Sequence, residues 1–432
     1  MKKYDVVVVG GGTAGCAAAY TAGKLGLKTL MIEKNIHLGG AITSGFVVPA
    51  MYSGENLINN EFYCDLISEM RSVGGQITYQ DNAGWLNPVL LKIVLDKMMK
   101  NSNVDILFNT VVHDVEIKNC IIRNLIINRK ILSAYNDKLQ NDNEELFEPI
   151  EARYVIDATG NCEVGKICGC EFLENKNEIQ PVSLRFVLSN VNLNAFSKWL
   201  LEFDKDREVS TVEHIGGNIH LSTAYTWDSN RQWALKPIFD KAVADGVLKD
   251  TDRNYFQIFT IAGMPNAVAF NCPRIPENID ALDVLERSKA LIQAREAIYR
   301  LFIFCKKYLV GFENSYISNI ADELGVRVSR RIKGKYIYTI EDLKSGKKFN
   351  NPVLISKYPV DIHSADKNSS RLEVVDEYSL PVESLMSYDI ENLFVAGRCI
   401  SCDFLSQGAL RIQPSCFAMG EGVVKYIKSI LK

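Results

Sequence analysis

Residues 4–9, Tyr-Asp-Val-Val-Val-Val, make a short β-branched apolar run, the pattern of a strand buried on both faces. Glycines follow at once. Ala17, Ala18, Ala19, Ala22 and Leu25 then recur at helical spacing, and Gly26 is placed to stop that helix. Lys28-Thr-Leu-Met-Ile-Glu33 reads as a second short strand, so strand, turn, helix and strand fit within about 30 residues as one parallel βαβ unit. Asn87-Pro88 ahead of Val89–Met99 predicts a capped helix with proline in its first turn. A strand is predicted at 104–108, an alternating antiparallel pair over 111–132, a polar hairpin tip at 135–147, and a strand over 152–156 running into Asp157-Ala-Thr-Gly160.

From about 181 to 334 the pattern changes. Aromatics become denser, helical periodicity runs over 281–308, and short strands are predicted around 183–190 and 257–261. The tail returns to the first pattern, with a buried strand at 392–396, a Gly-Arg turn, and a helix starting near Pro414. The predicted fold class is therefore α/β. A Rossmann-type domain, with a parallel sheet and an antiparallel meander, covers 1–180 and 335–432, and an inserted α+β cap domain covers 181–334.

Composition narrows the partners. The chain has 432 residues with 49 basic and 52 acidic side chains, so nothing favours a nucleic-acid partner. No apolar run reaches the roughly 18 residues needed to span a bilayer. Lys2-Lys3 before an apolar stretch imitates a secretory signal, but a signal core is a continuous helix and Gly10-Gly11-Gly12 interrupts this one. Eleven scattered cysteines fit a reducing cytoplasm better than a disulfide framework.

Gly10-x-Gly12-x-x-Gly15 lies between a predicted strand and helix, the context a dinucleotide fingerprint requires. The glycines allow the tight turn, the approach of a pyrophosphate, and close packing of helix on strand. Thr13 and Ala14 open the helix whose free amides would meet the phosphates. Glu33, at the end of the second strand, is placed to accept hydrogen bonds from a ribose diol.

Gly39-Gly40, Asp157-Ala158-Thr159-Gly160 and Ala396-Gly397-Arg398 add further glycine turns after strands. With Gly311-Phe-Glu-Asn314, Gly325-Val-Arg-Val-Ser-Arg-Arg331, Asp361-Ile-His363 and the segment from Cys399 through Arg411 to Gly420, the chain resembles the FAD-dependent oxidoreductases of the glutathione-reductase-like fold. Within them it is similar to the branch related to fumarate reductase and heterodisulfide reductase flavoproteins. The resemblance implies non-covalent FAD and adds Lys34, Val112, Arg398, Arg411 and Ile412 to the cofactor-binding set. It also implies that the last segment closes over the flavin ring. His37 lies near where some relatives attach flavin covalently, but its spacing to the glycines differs. Phe404 stands about where relatives carry a histidine, so a shared substrate does not follow.

On the substrate side, Arg327, Arg330 and Arg331 crowd five positions. Arg330 and Arg331 are the candidates to hold an anionic substrate group; otherwise they brace the domain interface. Asp361 and His363 share a strand face, and a carboxylate there would orient the imidazole and favour its charged form, making His363 the candidate acid/base. Cys162, Cys168 and Cys170 lack the dense run that holds a four-iron cluster, Cys399-x-x-Cys402 resembles a redox pair by spacing only, and no metal site is expected. The expected activity is hydride transfer between a small organic substrate and flavin. Electrons would come from or go to the substrate, a quinone, oxygen or a redox partner protein. The alternatives are a double-bond reductase fed by an external donor and an electron-transfer subunit, and an oligomer is compatible with each.

Overall fold

The structure is a computed structural model describing residues 2–51, 58–129, 147–173, 178–224, 233–275, 279–363, 371–373 and 375–431. Residues 135–146 of the stretch read as a hairpin tip lie outside these.

The first sheet has seven strands. Lys2–Val9 pairs in parallel with Thr29–Ile32 on one side, Val6 opposite Thr29, and Thr29–Ile32 pairs in turn with Val104–Leu107. On its other side Lys2–Val9 pairs in parallel with the long strand Phe147–Asp157. That strand serves two partners along its outer edge. Its first half takes the antiparallel strand Ile121–Arg129, which continues the meander to Thr110–Lys118, and its last residues take Leu393–Val395 in parallel. Val6, Val7 and Val8 are fully buried, as a strand covered on both faces requires.

Helix Thr13–Lys24 and the C-terminal helix Gln413–Ile430 lie together on one face of this sheet. Their approach is close enough that a Cβ on Gly420 would sit 2.2 Å from the Ala14 carbonyl oxygen, so glycine is what permits the contact. Asn87 caps helix Pro88–Asn101 by accepting from the Val89 and Leu90 amides, as its sequence foretells.

The second sheet has six strands, with Val268–Phe270, Phe186–Ser189 and the edge strand Tyr316–Ile320 in adjacent positions. A separate aromatic core backs it. Phe239 lies 4.3 Å from Phe304 and 4.9 Å from Phe256, centroid to centroid, and Phe186 stacks on Phe270 at 4.2 Å. The predicted helix over 281–308 is Val284–Tyr308, buried along Ala290, Ala294, Ala297, Ile298, Leu301, Phe304 and Cys305. Among the described residues, no helix is long and apolar enough to cross a membrane.

Candidate active site

The glycine motif is shaped by backbone contacts. Gly10 adopts φ +100°, and a Cβ there would meet the Ala158 carbonyl oxygen at 2.6 Å. A Cβ on Gly15 would meet the Gly10 carbonyl oxygen at 1.8 Å, so strand and helix can close on each other only with glycine there. Gly12 is the helix N-cap and makes no side-chain cap, which leaves the first-turn amides around Thr13 and Ala14 to an outside acceptor. Above it lies a second turn: Gly39 donates to the Gly11 carbonyl at 2.8 Å, and a Cβ on Gly40 would sit 2.8 Å from Gly12 Cα.

Glu33 is buried at the end of its strand. It accepts from the Gly11 amide at 2.6 Å and the Asn35 amide at 2.8 Å. Burial pushes its carboxyl pKa up, against these two amides. Each carboxylate oxygen keeps a further lone pair for a hydroxyl donor. Lys34 instead pairs with Glu323 at 3.1 Å on the surface. Val112 lies half-buried on the meander opposite Ile127.

Asp157, fully buried, ties down the next turn by accepting from the Thr159 amide and hydroxyl (3.0 and 2.7 Å) and the Gly165 amide (3.0 Å). Gly397 takes φ +96°, and the half-buried Arg398 guanidinium runs under Gly160 to Asn161 Oδ1 at 3.1 Å and to the Val326 carbonyl. The expected cofactor-binding turns at Gly10, Gly40, Gly160 and Gly397 are thus in mutual reach. Ile412, buried, is the N-cap of the C-terminal helix.

Residues 41–50 lead away from this cradle to a second cluster. The Phe46 carbonyl accepts from Arg185 Nη1 at 2.9 Å, and the Val47 carbonyl from Gln413 Nε2 at 2.8 Å. Arg185, Arg274 and Arg327 arrive from three neighbouring segments at one end of the second sheet, where Ser183 bridges both Arg274 and Gly325. Arg411 arrives from the other side, as the C-cap of helix Phe404–Leu410, and donates to the Asp361 carbonyl at 2.9 Å. Asp361 lies on strand Val360–Ile362, which packs so tightly on Gly408 that a Cβ there would come within 3.1 Å of the Asp361 carbonyl oxygen.

His363 completes the cluster. Its Nε2 lies 3.3 Å from Asp361 Oδ2, its Nδ1 lies 3.1 Å from Arg274 Nη2, and its amide donates to Gln180 Oε1 at 3.0 Å. A guanidinium only donates, so Nδ1 must accept, and the ring proton sits on Nε2 facing the carboxylate. Burial, with the Arg327 and Arg274 charges, holds the His363 pKa well below the ordinary range. The expected charged imidazole is therefore corrected to a neutral one: the adjacent carboxylate is outweighed by burial and two arginines. Burial opposes ionisation of Asp361 as well, but the His363 hydrogen bond and the Arg411 and Arg327 charges win and hold its carboxyl below the usual range.

The arginines predicted for substrate lie elsewhere. Arg331 is spent on the Cys402 carbonyl at 3.0 Å, the Leu173 carbonyl at 2.8 Å and Glu178. Arg330 reaches the Asn161 carbonyl at 3.2 Å and Glu163 at 3.5 Å. Both are engaged by carbonyls and carboxylates of other segments, and of that run Arg327 is the one whose charge acts on His363. Arg185, Arg274 and Gln180 escaped the sequence reading; they carry no motif, and their meeting depends on strand order.

Four guanidiniums thus face one carboxylate and a neutral histidine. Burial presses the Arg327 pKa well down, with Arg274, Arg411 and Arg185 adding to it, and the Arg185 pKa is pushed down to about 10. Arginine keeps its proton in proteins, so these charges repel one another across the cluster. Arg185 Nε, Arg411 Nε and Gln180 Nε2 are buried donors with no partner among the described residues.

Comparison with known proteins places the chain in a class. The sequence model of the FAD dependent oxidoreductase family matches residues 5–424, and the chain belongs to that family. The glycine cradle fits the dinucleotide of the cofactor for which that family is named. Over 45 residues it is 56% identical to the digeranylgeranylglycerophospholipid reductase of Thermoplasma acidophilum, a match covering 10% of this chain and 11% of that one. Over 59 residues it is 42% identical to the mitochondrial dihydrolipoyl dehydrogenase of Caenorhabditis elegans, 14% of this chain and 11% of the relative. The chain therefore spans about a tenth of the length of these relatives. Among solved structures, a geranylgeranyl bacteriochlorophyll reductase-like protein from Thermoplasma acidophilum aligns over 99% of this chain and 79% of its own, at 14% identity and a TM-score of 0.47.

Proposed function

We propose that this enzyme transfers a hydride between a small anionic organic substrate and non-covalently held FAD. The observation that carries the reading is the set of buried Arg327 and half-buried Arg185, Arg274 and Arg411 gathered with Asp361 and His363, joined by residues 41–50 to the dinucleotide cradle. FAD, held through Gly12, Thr13, Glu33, Gly40, Gly160 and Arg398, supplies the two-electron acceptor or donor at N5. The division of labour follows the two sheets, residues 181–334 acting as the cap that brings three of the four arginines.

The chain's own groups then have separate tasks. The arginines bind the substrate's anionic group bidentately and expel water from it. An anion that draws Arg274 away from His363 uncovers Nδ1, the lone pair able to take the proton that a neighbouring O–H, N–H or C–H of the substrate gives up as its C–H hydrogen leaves as hydride. Asp361 holds the ring through Nε2–H throughout. In the reverse direction the same nitrogen returns the proton.

The reading is tested by anaerobic screening of organic acids for bleaching of the FAD-loaded enzyme. An acid that bleaches the flavin is expected, and Arg274→Met should raise its KM by roughly a hundredfold, as lost buried ion pairing requires. If no anionic compound bleaches a properly loaded enzyme, the reading fails.

A further inference from the structure

Gln180 holds a buried amide group that the arginines, Asp361 and His363 leave idle. The residue is 3% exposed and precedes Pro181, whose carbonyl accepts from Arg327 Nη1 at 2.6 Å. Its Oε1 accepts from the His363 amide at 3.0 Å. A backbone N–H can only donate, so that contact fixes which end of the side-chain amide is oxygen. Nε2 is left with two N–H donors and no acceptor among the described residues. Arg185 Nε and Arg411 Nε are buried donors in the same position. Those two are cationic and suit a carboxylate, whereas the glutamine amide is neutral and suits an uncharged oxygen.

We propose that the substrate is an α-hydroxy acid, and that Gln180 Nε2 is the donor that binds the hydroxyl oxygen beside its carboxylate; the proposal rests on the hydride-transfer reading and names the substrate class for it. The guanidiniums take the carboxylate. The oxygen on the adjacent carbon accepts from Nε2 and keeps its own O–H free to donate. Gln180 holds the backbone of the same residue whose Nδ1 is uncovered when Arg274 turns to the carboxylate, so the hydroxyl proton has an acceptor at hand. The α C–H bond breaks with its electron pair leaving as hydride to FAD, the O–H bond breaks with its proton going to Nδ1, and a C=O bond forms. The α-oxo acid product still offers Nε2 an oxygen. An α-amino acid does not. Its ammonium only donates, and the Asp361 carboxylate that could receive it is already paired with His363 at 3.3 Å and Arg411 at 3.5 Å. An acid unsubstituted at the α-carbon leaves Nε2 unpaired as well, a mismatch that buried polar sites reject strongly.

The test presents the FAD-loaded chain, without oxygen, with α-hydroxy, α-amino and unsubstituted carboxylic acids matched in carbon chain. Bleaching of the flavin by an α-hydroxy acid, and by neither counterpart, is expected. Binding is read separately by calorimetry with the α-oxo acid and the unsubstituted acid of the same chain. The wild-type protein should prefer the α-oxo acid by about a hundredfold, and Gln180→Met should cut that preference by about tenfold or more. Any disturbance of His363 in the variant is met by both acids and cancels in the ratio. Gln180→Glu keeps an acceptor for the His363 amide but removes the donor, and should lose the preference too. Retained flavin absorbance reports that each variant is folded. Bleaching by an α-amino or unsubstituted acid at least as fast as by its α-hydroxy counterpart would overturn the proposal and leave the hydride-transfer reading standing. So would a preference that survives both substitutions. If no acid of any kind bleaches the loaded enzyme, the hydride-transfer reading itself falls and the proposal falls with it.

Discussion

Gly15 shows how one hydrogen atom can decide cofactor binding. Because a Cβ at that position would sit 1.8 Å from the Gly10 carbonyl oxygen, Gly15→Ala must push the helix away from the turn that receives the pyrophosphate. The expected outcome is at least about a tenfold loss of FAD affinity, measured by fluorescence titration of the apoprotein. His363 makes an equally local prediction about pH. Its folded pKa lies below the ordinary histidine value, so below about pH 6.5 the unfolded chain takes up a proton that the folded chain refuses. Stability from this site is full above that pH and is lost as pH falls, with a slope approaching about 1.4 kcal/mol per pH unit. Asp361, also depressed, adds a second loss at more acidic pH. His363→Asn should flatten the slope between pH 6.5 and 5, read from denaturant midpoints; an unchanged slope would contradict the neutral, buried imidazole.

Helix ends and strand ends set the site at the next scale. Asn87 caps helix Pro88–Asn101 and also donates to the Ala262 carbonyl at 2.9 Å, so it links that helix to the chain leaving the second sheet. Asn87→Ala removes the cap and leaves a buried carbonyl short of a donor. It is expected to cost about 1–3 kcal/mol, seen as a lower Tm in calorimetry. The arginine cluster is built the same way. Val268–Phe270, Phe186–Ser189 and Tyr316–Ile320 are neighbours, and the segments that continue them hold Arg274, Arg185 and Arg327 at one end of the sheet. The C-terminal helix supplies the other wall, seated on helix Thr13–Lys24 through Gly420.

Over the whole molecule, the dinucleotide cradle is a meeting place of distant segments. Gly11, Gly39, Ala158 and Arg398 come from four parts of the chain, and Lys34 and Asn35 reach across to Glu323, which leads out of the second sheet. A ligand that spans such a seam stabilises the folded chain by mass action. FAD at about a hundred times its Kd should therefore add about 2.7 kcal/mol to unfolding, raising the Tm of the apoprotein. Gly15→Ala should lose that increment at the same FAD concentration.

The local chemistry of the cofactor end was legible in the order of residues. A β-branched run, glycines at fixed offsets and an acid at the next strand end are short-range requirements, and the folded chain meets them at Val6–Val9, Gly10, Gly15 and Glu33. The pairing of Asp361 with His363 was legible too, because alternate strand residues share a face. The protonation state of that pair was not, since it depends on Arg274 and Arg327, 89 and 36 positions away in sequence. Nor was the choice of arginines: Arg330 and Arg331 stand in a conspicuous run, yet their side chains are consumed by neighbouring carbonyls and carboxylates. Sequence spacing determines what one strand or one helix turn can present. Which charges share a buried space is decided by strand order and helix packing, because electrostatic energy depends on separation and burial rather than on position along the chain.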